Sequence, residues 1–158
     1  AGIREALRDE LPLLARVSAT EGVEGGLTVD DGRHLARQLE SWGAAAMHVV
    51  SGSACDSPAW YYQHMSLPEG VNEDLAAQVA KEVAIPVIVA GRLGGAKRIG
   101  AALASGRADF VALGRPLVAD PTSRRPGPSP AEGPSSCGVG APRSRPPGPA
   151  TRGLGVCR

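Results

Sequence analysis

Pro86-Val-Ile-Val-Ala-Gly-Arg92 decides the fold, together with its near-repeat Asp109-Phe-Val-Ala-Leu-Gly-Arg-Pro116. Each is an apolar, β-branched run that ends in Gly-Arg, and such runs are typical of buried parallel strands. A glycine at a strand end lets backbone N–H groups approach a ligand, and the following arginine adds a forked cation suited to phosphate. Since one helix-length segment separates the runs, they predict two consecutive βα units that form a phosphate-binding corner of an α/β barrel.

Strand and helix patterns alternate along the chain through residue 120. Four strands are predicted, over Leu13–Ser18, Ala45–Val50, Pro86–Ala90 and Phe110–Leu113. Four helices are predicted as well. The first spans Gly2–Leu11, and the second begins at a capping box on Thr28 and ends at Gly43. The third follows Asn72 as its N-cap, and the fourth spans Ala96–Ser105. Apolar residues at helical spacing are expected to face the core in the two middle helices: Leu35, Leu39 and Trp42, then Leu75, Val79 and Val83.

The alternation gives about four βα units and predicts an α/β domain with a parallel sheet and right-handed crossovers. An open doubly wound sheet and a barrel share this local pattern. Because four units are half of an eight-unit barrel, we interpret residues 1–121 as the C-terminal half of a (β/α)8 TIM barrel. A half barrel has two open sheet edges and an unfilled interior, so we expect it to be weak or aggregation-prone alone.

Residues 122–158 differ in composition from the rest of the chain. They hold eight prolines, seven glycines and six arginines, with Glu132 as the one acidic residue. So little apolar surface cannot offset the entropy of ordering, and we expect a disordered Pro/Gly/Arg-rich tail. A contact with nucleic acid or anionic lipid is one interpretation of its arginines. A non-native tail translated in a shifted reading frame is the preferred one.

Charge and cysteine use exclude several classes of protein. Residues 1–121 carry 11 basic and 15 acidic side chains, so no nucleic-acid surface is expected. The three cysteines, Cys55, Cys137 and Cys157, form no CxxC motif and no secreted-type framework, which favours a reducing, cytoplasmic compartment. We also expect no signal peptide, no membrane span and no metal site.

Four phrases of the sequence follow one another in a characteristic order and spacing. They are Ala15-Arg-Val-Ser-Ala-Thr20, His48-Val-Val-Ser-Gly52, Val87-Ile-Val-Ala-Gly-Arg92 and Gly106-Arg-Ala-Asp-Phe-Val-Ala-Leu-Gly-Arg-Pro-Leu-Val-Ala-Asp-Pro121. Together they resemble the Old Yellow Enzyme family, most closely its NADH:flavin oxidoreductase and 2,4-dienoyl-CoA reductase-like branch. The resemblance covers residues 1–121, and the last phrase is the most specific. That family folds as an eight-stranded α/β barrel and binds FMN.

The resemblance implies an FMN-dependent oxidoreductase. Hydride would pass from NADH or NADPH through FMN to an activated C=C bond of an enoyl or dienoyl substrate. Arg16 would face the N1/O2 edge of the flavin, where a cation stabilises the anionic reduced form. Gly91, Arg92, Gly114 and Arg115 would hold the FMN phosphate through backbone N–H groups and guanidinium forks.

The long loop after the second strand departs from the family pattern. The branch has a catalytic histidine at a position that ungapped counting gives to Asp56, whereas His64 lies later and does not align. Asp56 is therefore the candidate proton donor, and Tyr61, Tyr62 and His64 are candidate residues of the substrate pocket. A packed lid or an interface is an equally open interpretation of this aromatic loop.

Two further family features bear on activity. The catalytic tyrosine and the other flavin contacts of the family belong to the first half of the barrel, so a chain that supplies that half is a candidate partner. The branch also ligates an Fe–S cluster with closely spaced cysteines after the Asp-Pro phrase, and Cys137 and Cys157 lack that spacing. Two alternatives stay open: a truncated, non-catalytic product that retains part of the flavin site, and another phosphate-binding TIM-barrel enzyme.

Several polar residues also have purely structural interpretations. Arg16 lies inside an apolar strand, where it needs a partner or an anionic ligand. We interpret His48 as a hydrogen-bonded core histidine, His34 as a solvated side chain, and Cys55 as a small buried residue rather than a nucleophile.

Overall fold

A computed structural model describes residues 2–6 and 10–120 of the 158-residue chain. Its central element is one sheet of four parallel strands, in the spatial order β1-β2-β3-β4. The predicted tail, with Cys137 and Cys157, lies outside the described residues. In chain order the elements are α1 (Gly2–Ala6), β1 (Leu14–Ser18), α2 (Val29–Ser41), β2 (Ala46–Val50), α3 (Pro58–Tyr61), α4 (Glu73–Glu82), β3 (Val87–Val89), α5 (Ala96–Ala104), β4 (Phe110–Val111) and α6 (Arg115–Ala119).

The predicted alternation of strands and helices is confirmed, with differences at the ends of elements. β4 has two residues instead of the four predicted, because it pairs with β3 alone and β3 itself spans three residues. The first helix does not extend to Leu11, since Glu10 and Leu11 are not helical. The short helix α3 was not predicted, and Pro58 starts it at a position where no backbone N–H is needed. Within residues 2–6 and 10–120, no helix combines the length and apolar character that a membrane span requires.

Strand order decides between the two sheet architectures that the sequence left open. Each strand pairs in parallel with the next one along the chain, so the winding never reverses direction. Since crossovers are right-handed, such an order brings successive helices to the same face of the sheet. Residues of α2, α4 and α5 accordingly pack into one hydrophobic core with the strands. A doubly wound sheet reverses direction and carries helices on both faces, so the described part is wound as in a barrel.

The core of the molecule is the helix-covered face of the sheet. One row across the four strands consists of Val17, Val49, Val89 and Val111, aligned by the strand register. Val49 and Val89 are fully buried, and all four belong to the core or pack against it. The β-branched residues that predicted strands therefore also supply the apolar surface that fixes the helices.

The opposite face of the sheet is much less covered. Because side chains alternate along a strand, the row next to the valines presents Arg16, His48, Ile88 and Phe110 to this face. Phe110 is 57% exposed, and Leu14 on the same face is 55% exposed. This face, which we call the concave face, corresponds to the interior of a closed barrel.

Helix α2 begins as the sequence predicts. Thr28 and Asp31 form a reciprocal capping box, and the hydrogen bonds from Thr28 lower the pKa of the Asp31 carboxyl. Leu35 and Leu39 pack against the core as expected. The prediction for Trp42 was wrong: it lies at the C-cap and is 62% exposed, because the helix ends before that position turns inward.

Two helical glycines predict opposite effects of the same substitution. A Cβ at Gly32 would lie 2.3 Å from the backbone oxygen of Ala19, whereas a Cβ at Gly100 meets nothing within 4 Å. Gly32→Ala should therefore lower the free energy of unfolding by about 1–3 kcal/mol through overpacking. Gly100→Ala should raise it by about 0.5–1 kcal/mol through helix propensity. Urea unfolding followed by circular dichroism measures both, and a stabilising Gly32→Ala would contradict this packing of α2 on the end of β1.

Candidate functional site

The carboxyl ends of the four parallel strands lie along one edge of the sheet. Hydrogen bonds tie the extensions of β1 and β2 together there, from the Ala19 N–H to the Val50 carbonyl at 2.8 Å and from the Gly52 N–H to the Thr20 carbonyl at 2.7 Å. The Ser18 hydroxyl donates to the Gly52 carbonyl at 3.0 Å. Both Gly-Arg pairs follow strands at this same edge, as the sequence predicts.

The turn after β3 has an unusual backbone. Gly91 has a φ of 128°, and Arg92, which is not a glycine, has a φ of 51° in the left-handed region. A Cβ at Gly91 would lie 2.8 Å from the Asn72 side-chain nitrogen, so both the conformation and the space require glycine. Left-handed non-glycine residues are sparse and occur often at functional sites.

The guanidinium of Arg92 contains a buried donor that no described residue satisfies. Its Nε is shielded from solvent, and within the described part of the chain it has no hydrogen-bond partner. A buried donor of a charged group without a partner is costly. An anion at this edge of the sheet would supply the missing acceptor.

The second Gly-Arg pair lies close to the first through the loop residue Gln63. The Arg115 Nη2 donates to the Gln63 carbonyl at 2.9 Å. The Gln63 Cγ lies 3.3 Å from where a Cβ at Gly91 would be. Arg115 itself is exposed, at the start of the short helix α6. A Cβ added to Gly114 before it would meet nothing within 4 Å. The structure thus brings Gly91 and Arg115 together against one loop.

Arg16 and His48 are register partners on the concave face. Arg16 is exposed, and His48 is partly buried with no described partner for its Nε2. Burial and the neighbouring Arg16 charge lower the pKa of His48, which keeps the imidazole neutral near pH 7. The interpretation of His48 as a hydrogen-bonded core histidine was therefore wrong, since its Nε2 is shielded from solvent and meets no hydrogen-bond partner among the described residues.

The candidate residues of the loop between β2 and α4 bond mostly within that loop. Asp56 is exposed and accepts from the Ser53 hydroxyl at 3.0 Å. His64 is exposed, with its Nδ1 2.9 Å from the Ser66 hydroxyl. The rings of Tyr61 and Tyr62 meet edge to face at 5.0 Å. These contacts define a folded loop beside the strand ends, and they hold Asp56 and His64 by neighbours in sequence.

Two further expectations concern the exposure of Cys55 and of His34. Cys55 is exposed rather than buried, because it lies in a turn on the outer side of the loop. His34 is exposed on α2, as expected. Among residues 2–6 and 10–120, no group of His, Cys, Asp and Glu side chains is arranged to hold a metal ion.

Sequence reasoning missed two residues that shape the site. Asn72 was predicted as a helix cap, and it does precede α4, but its side chain makes no capping hydrogen bond. It lies buried between the ends of β2 and β3 instead, where Ser51 donates to it. Gln63 carries no sequence motif at all. A polar residue before a helix is a capping signal, and only the tertiary structure shows that the amide faces the sheet.

Comparison with proteins of known activity gives similar sequences over most of the chain. An NADH oxidase of Thermoanaerobacter brockii is 39% identical over 119 residues, which are 75% of this chain and 18% of that protein. A cinnamate reductase of Clostridium sporogenes is 32% identical over 99 residues, which are 61% of this chain and 14% of that protein. The chain therefore spans less than a fifth of the length of these relatives.

The fold also has counterparts among solved structures. A 2-naphthoyl-CoA reductase in complex with 2-naphthoyl-CoA superposes with a TM-score of 0.65 and 26% identity, over 76% of this chain and 18% of that one. No protein-family model matches the sequence. Sequence and structure comparisons agree on a class of reductases and oxidases, and the superposition assigns the four βα units to half of a (β/α)8 barrel.

The lowered pKa of His48 makes stability depend on pH. Above 6.5, the pKa of the histidine in the unfolded chain, the imidazole is neutral in the folded and the unfolded chain alike. Protonation of His48 then takes nothing from the free energy of unfolding. As the pH falls below that value, the unfolded chain takes up the proton first, so stability is lost. We expect the free energy of unfolding in urea to fall between about pH 7.5 and 5.5, and to fall less in His48→Gln. His34→Gln, which replaces an exposed histidine, is the matched control; equal pH slopes in wild type and His48→Gln would refute the assignment.

Proposed function

We propose, from the premise that this chain belongs to the Old Yellow Enzyme-like NADH:flavin oxidoreductase family, that it forms the phosphate side of an FMN site in a flavin-dependent oxidoreductase. The phosphate side is the group Gly91, Arg92, Gly114 and Arg115 at the strand ends. When bound, FMN supplies hydride chemistry between NADH or NADPH and an acceptor. The relatives are named as oxidases and reductases, which supports the general class.

The observation that carries the proposal is the buried, unpartnered Nε of Arg92. It lies in a turn whose left-handed backbone brings main-chain N–H groups to the end of a parallel strand. A phosphate accepts from guanidinium and from backbone N–H groups together, so it satisfies both kinds of donor at once. A neutral ligand would leave the charge of Arg92 without compensation.

Arg115 supports the same assignment from the other Gly-Arg pair. Its guanidinium already reaches the Gln63 carbonyl beside Gly91, so the second cation lies next to the first turn. One of its nitrogens is used in that bond, and its exposure leaves the rest of the fork accessible to an anion. Two guanidinium groups and two glycine turns form a donor set suited to a phosphomonoester.

Arg16 has a different role in the proposed site. On the concave face its cation would stabilise negative charge on the ring system of a bound flavin. His48 beside it is neutral, so it contributes a polar nitrogen without adding a second charge. This pairing keeps one positive charge at a defined place in the barrel interior.

We further propose an enoyl or dienoyl substrate, reduced at its activated C=C bond with NADH or NADPH as the source of hydride. Asp56 is the candidate proton donor for this step, and Tyr61, Tyr62 and His64 are the candidate residues of the substrate pocket. The loop that carries them is folded beside the strand ends, which supports its use as a cover for the site.

The phosphate assignment predicts a difference between FMN and riboflavin, which lacks the phosphate. Arg92→Ala should weaken FMN binding by about 2–4 kcal/mol, the loss typical of truncating one partner of a buried charge pair. Arg115→Ala should weaken it by about 1 kcal/mol, because that side chain is exposed. Both should change riboflavin binding much less. Titration by flavin fluorescence measures both flavin affinities for the wild-type chain and for each variant.

The matched control for these variants is Arg37→Ala. Arg37 lies on α2 and pairs with Glu82, which keeps Arg33 as a second partner after the change. Its removal should leave both flavin affinities unchanged. Equal losses of FMN and riboflavin in Arg92→Ala would place Arg92 outside the phosphate site.

The exposed concave face favours a second candidate, a flavin-binding chain without turnover. Leu14 and Phe110 remain largely exposed on that face, where a closed barrel buries its interior. Such a chain binds FMN but does not couple NADH consumption to reduction of an enoyl substrate. Steady-state assays with added FMN separate the two candidates. A phosphosugar enzyme of the same barrel class, in contrast, would bind no flavin.

A further inference from the structure

A buried amide lies directly behind the turn that carries Arg92. Asn72 is fully buried, and its Nδ2 donates to the Ala90 carbonyl at 2.7 Å. Its Oδ1 accepts from the Ser51 hydroxyl at 2.6 Å, and Ser51 is 1% exposed. One side chain therefore ties the end of β2 to the end of β3 through one buried and one partly buried hydrogen bond.

We infer that Asn72 is a positioning residue that holds the Ala90–Gly91–Arg92 backbone in the conformation that binds phosphate. The inference rests on the proposed function, which assigns the phosphate to this turn. Asn72 acts on the ligand through the backbone that it fixes, and it need not touch the phosphate.

The planar peptide bond between Ala90 and Gly91 transmits the effect of Asn72. In a trans peptide the carbonyl of one residue and the N–H of the next point in opposite directions. When Asn72 holds the Ala90 carbonyl, it also fixes the direction of the Gly91 N–H on the other side of the same plane. That N–H is one of the donors that the proposed function assigns to phosphate.

Arg92 has a left-handed backbone conformation. A φ of 51° is unfavourable for a residue with a Cβ, so neighbouring contacts must maintain it. The turn is held at both ends: Asn72 binds the Ala90 carbonyl, and the Gly70 N–H donates to the Arg92 carbonyl at 3.3 Å. Without the first of these bonds, we expect the turn to relax and the Nε of Arg92 to leave its buried position.

The side chain of Asn72 does not serve the helix that it precedes. It is at the N-cap of α4, but its side chain makes no hydrogen bond to the first turn of that helix. A residue at this position that served only α4 would bond to a helix N–H group. The amide instead accepts from Ser51 after β2 and donates to the Ala90 carbonyl after β3. This is the arrangement expected of a residue that shapes the edge of the site.

The test compares FMN with riboflavin in the full chain. Asn72→Leu keeps the approximate size of the side chain, adds no charge beside the phosphate, and removes both hydrogen bonds. We expect FMN affinity to fall by about tenfold or more, with riboflavin affinity changed by less than about threefold, because loss of a buried hydrogen bond disorders the turn and not the ring site. The double variant Ser51→Ala/Asn72→Leu removes the hydroxyl that the single variant leaves unpaired.

The matched control is Ser57→Ala. Ser57 is another buried polar residue of the same loop, and its hydroxyl donates to the Glu21 carbonyl at 2.5 Å, next to β1 and away from β3. Its loss should lower stability without changing the ratio of FMN to riboflavin affinity. A merely structural role for Asn72 would give the same pattern as this control.

A second measurement needs no ligand. Backbone amide hydrogen exchange of Gly91, Arg92 and Leu93, followed by NMR, reports the order of the turn itself. Asn72→Leu should accelerate exchange at these three amides, whereas Ser57→Ala should leave them unchanged. Unchanged exchange in Asn72→Leu would overturn the inference directly.

The outcomes separate failure of the inference from failure of the proposed function. If the wild-type chain binds FMN more tightly than riboflavin and Asn72→Leu keeps that preference, the positioning role is refuted and the phosphate site stands. If the wild-type chain shows no preference for FMN, the phosphate site is refuted and the role of Asn72 in ligand binding falls with it.

Discussion

The structure depends on burying one row of valines between the parallel sheet and its helices. Val17, Val49, Val89 and Val111 lie in register across the four strands, and residues of α2, α4 and α5 pack against that side. Because right-handed crossovers in a sequential strand order bring these helices to one face, the other face is left to Arg16, His48 and their neighbours. The division between a packed face and a more open one thus follows from strand order and side-chain alternation.

The same arrangement places the chemistry at the carboxyl ends of the strands. There the ladder hydrogen bonds stop, and backbone groups must find other partners. Asn72 and Ser51 satisfy the end of β2 and the Ala90 carbonyl after β3, while Arg92 keeps a buried donor without a described partner. The contrast is informative, since satisfied polar groups fix the framework, and the unpartnered donor of Arg92 is the group on which the proposed phosphate site rests. The proposed function assigns the phosphate to this edge of the sheet.

Local patterns predicted the elements well and single side chains less well. The predictions of the capping box at Thr28, of Leu35 and Leu39 on the inner face of α2, and of the apolar face of α4 were correct, since these patterns join residues three or four apart. The predicted surroundings were wrong for Trp42, His48 and Cys55, because exposure and hydrogen bonding depend on which distant segment lies beside a side chain. The functional assignments of Asp56, Tyr61, Tyr62 and His64 stay predictions.

The sequence by itself determined the four strands, the crossover helices and the two Gly-Arg pairs, because periodicity and glycine placement act over short distances. It also carried the family resemblance through its four phrases. Only the tertiary structure decided that the sheet is singly wound, that Gln63 brings Gly91 and Arg115 together, and that Asn72 faces β3 instead of capping α4. These are contacts between residues far apart in the chain, and no local pattern of residues specifies which distant group a polar side chain will meet.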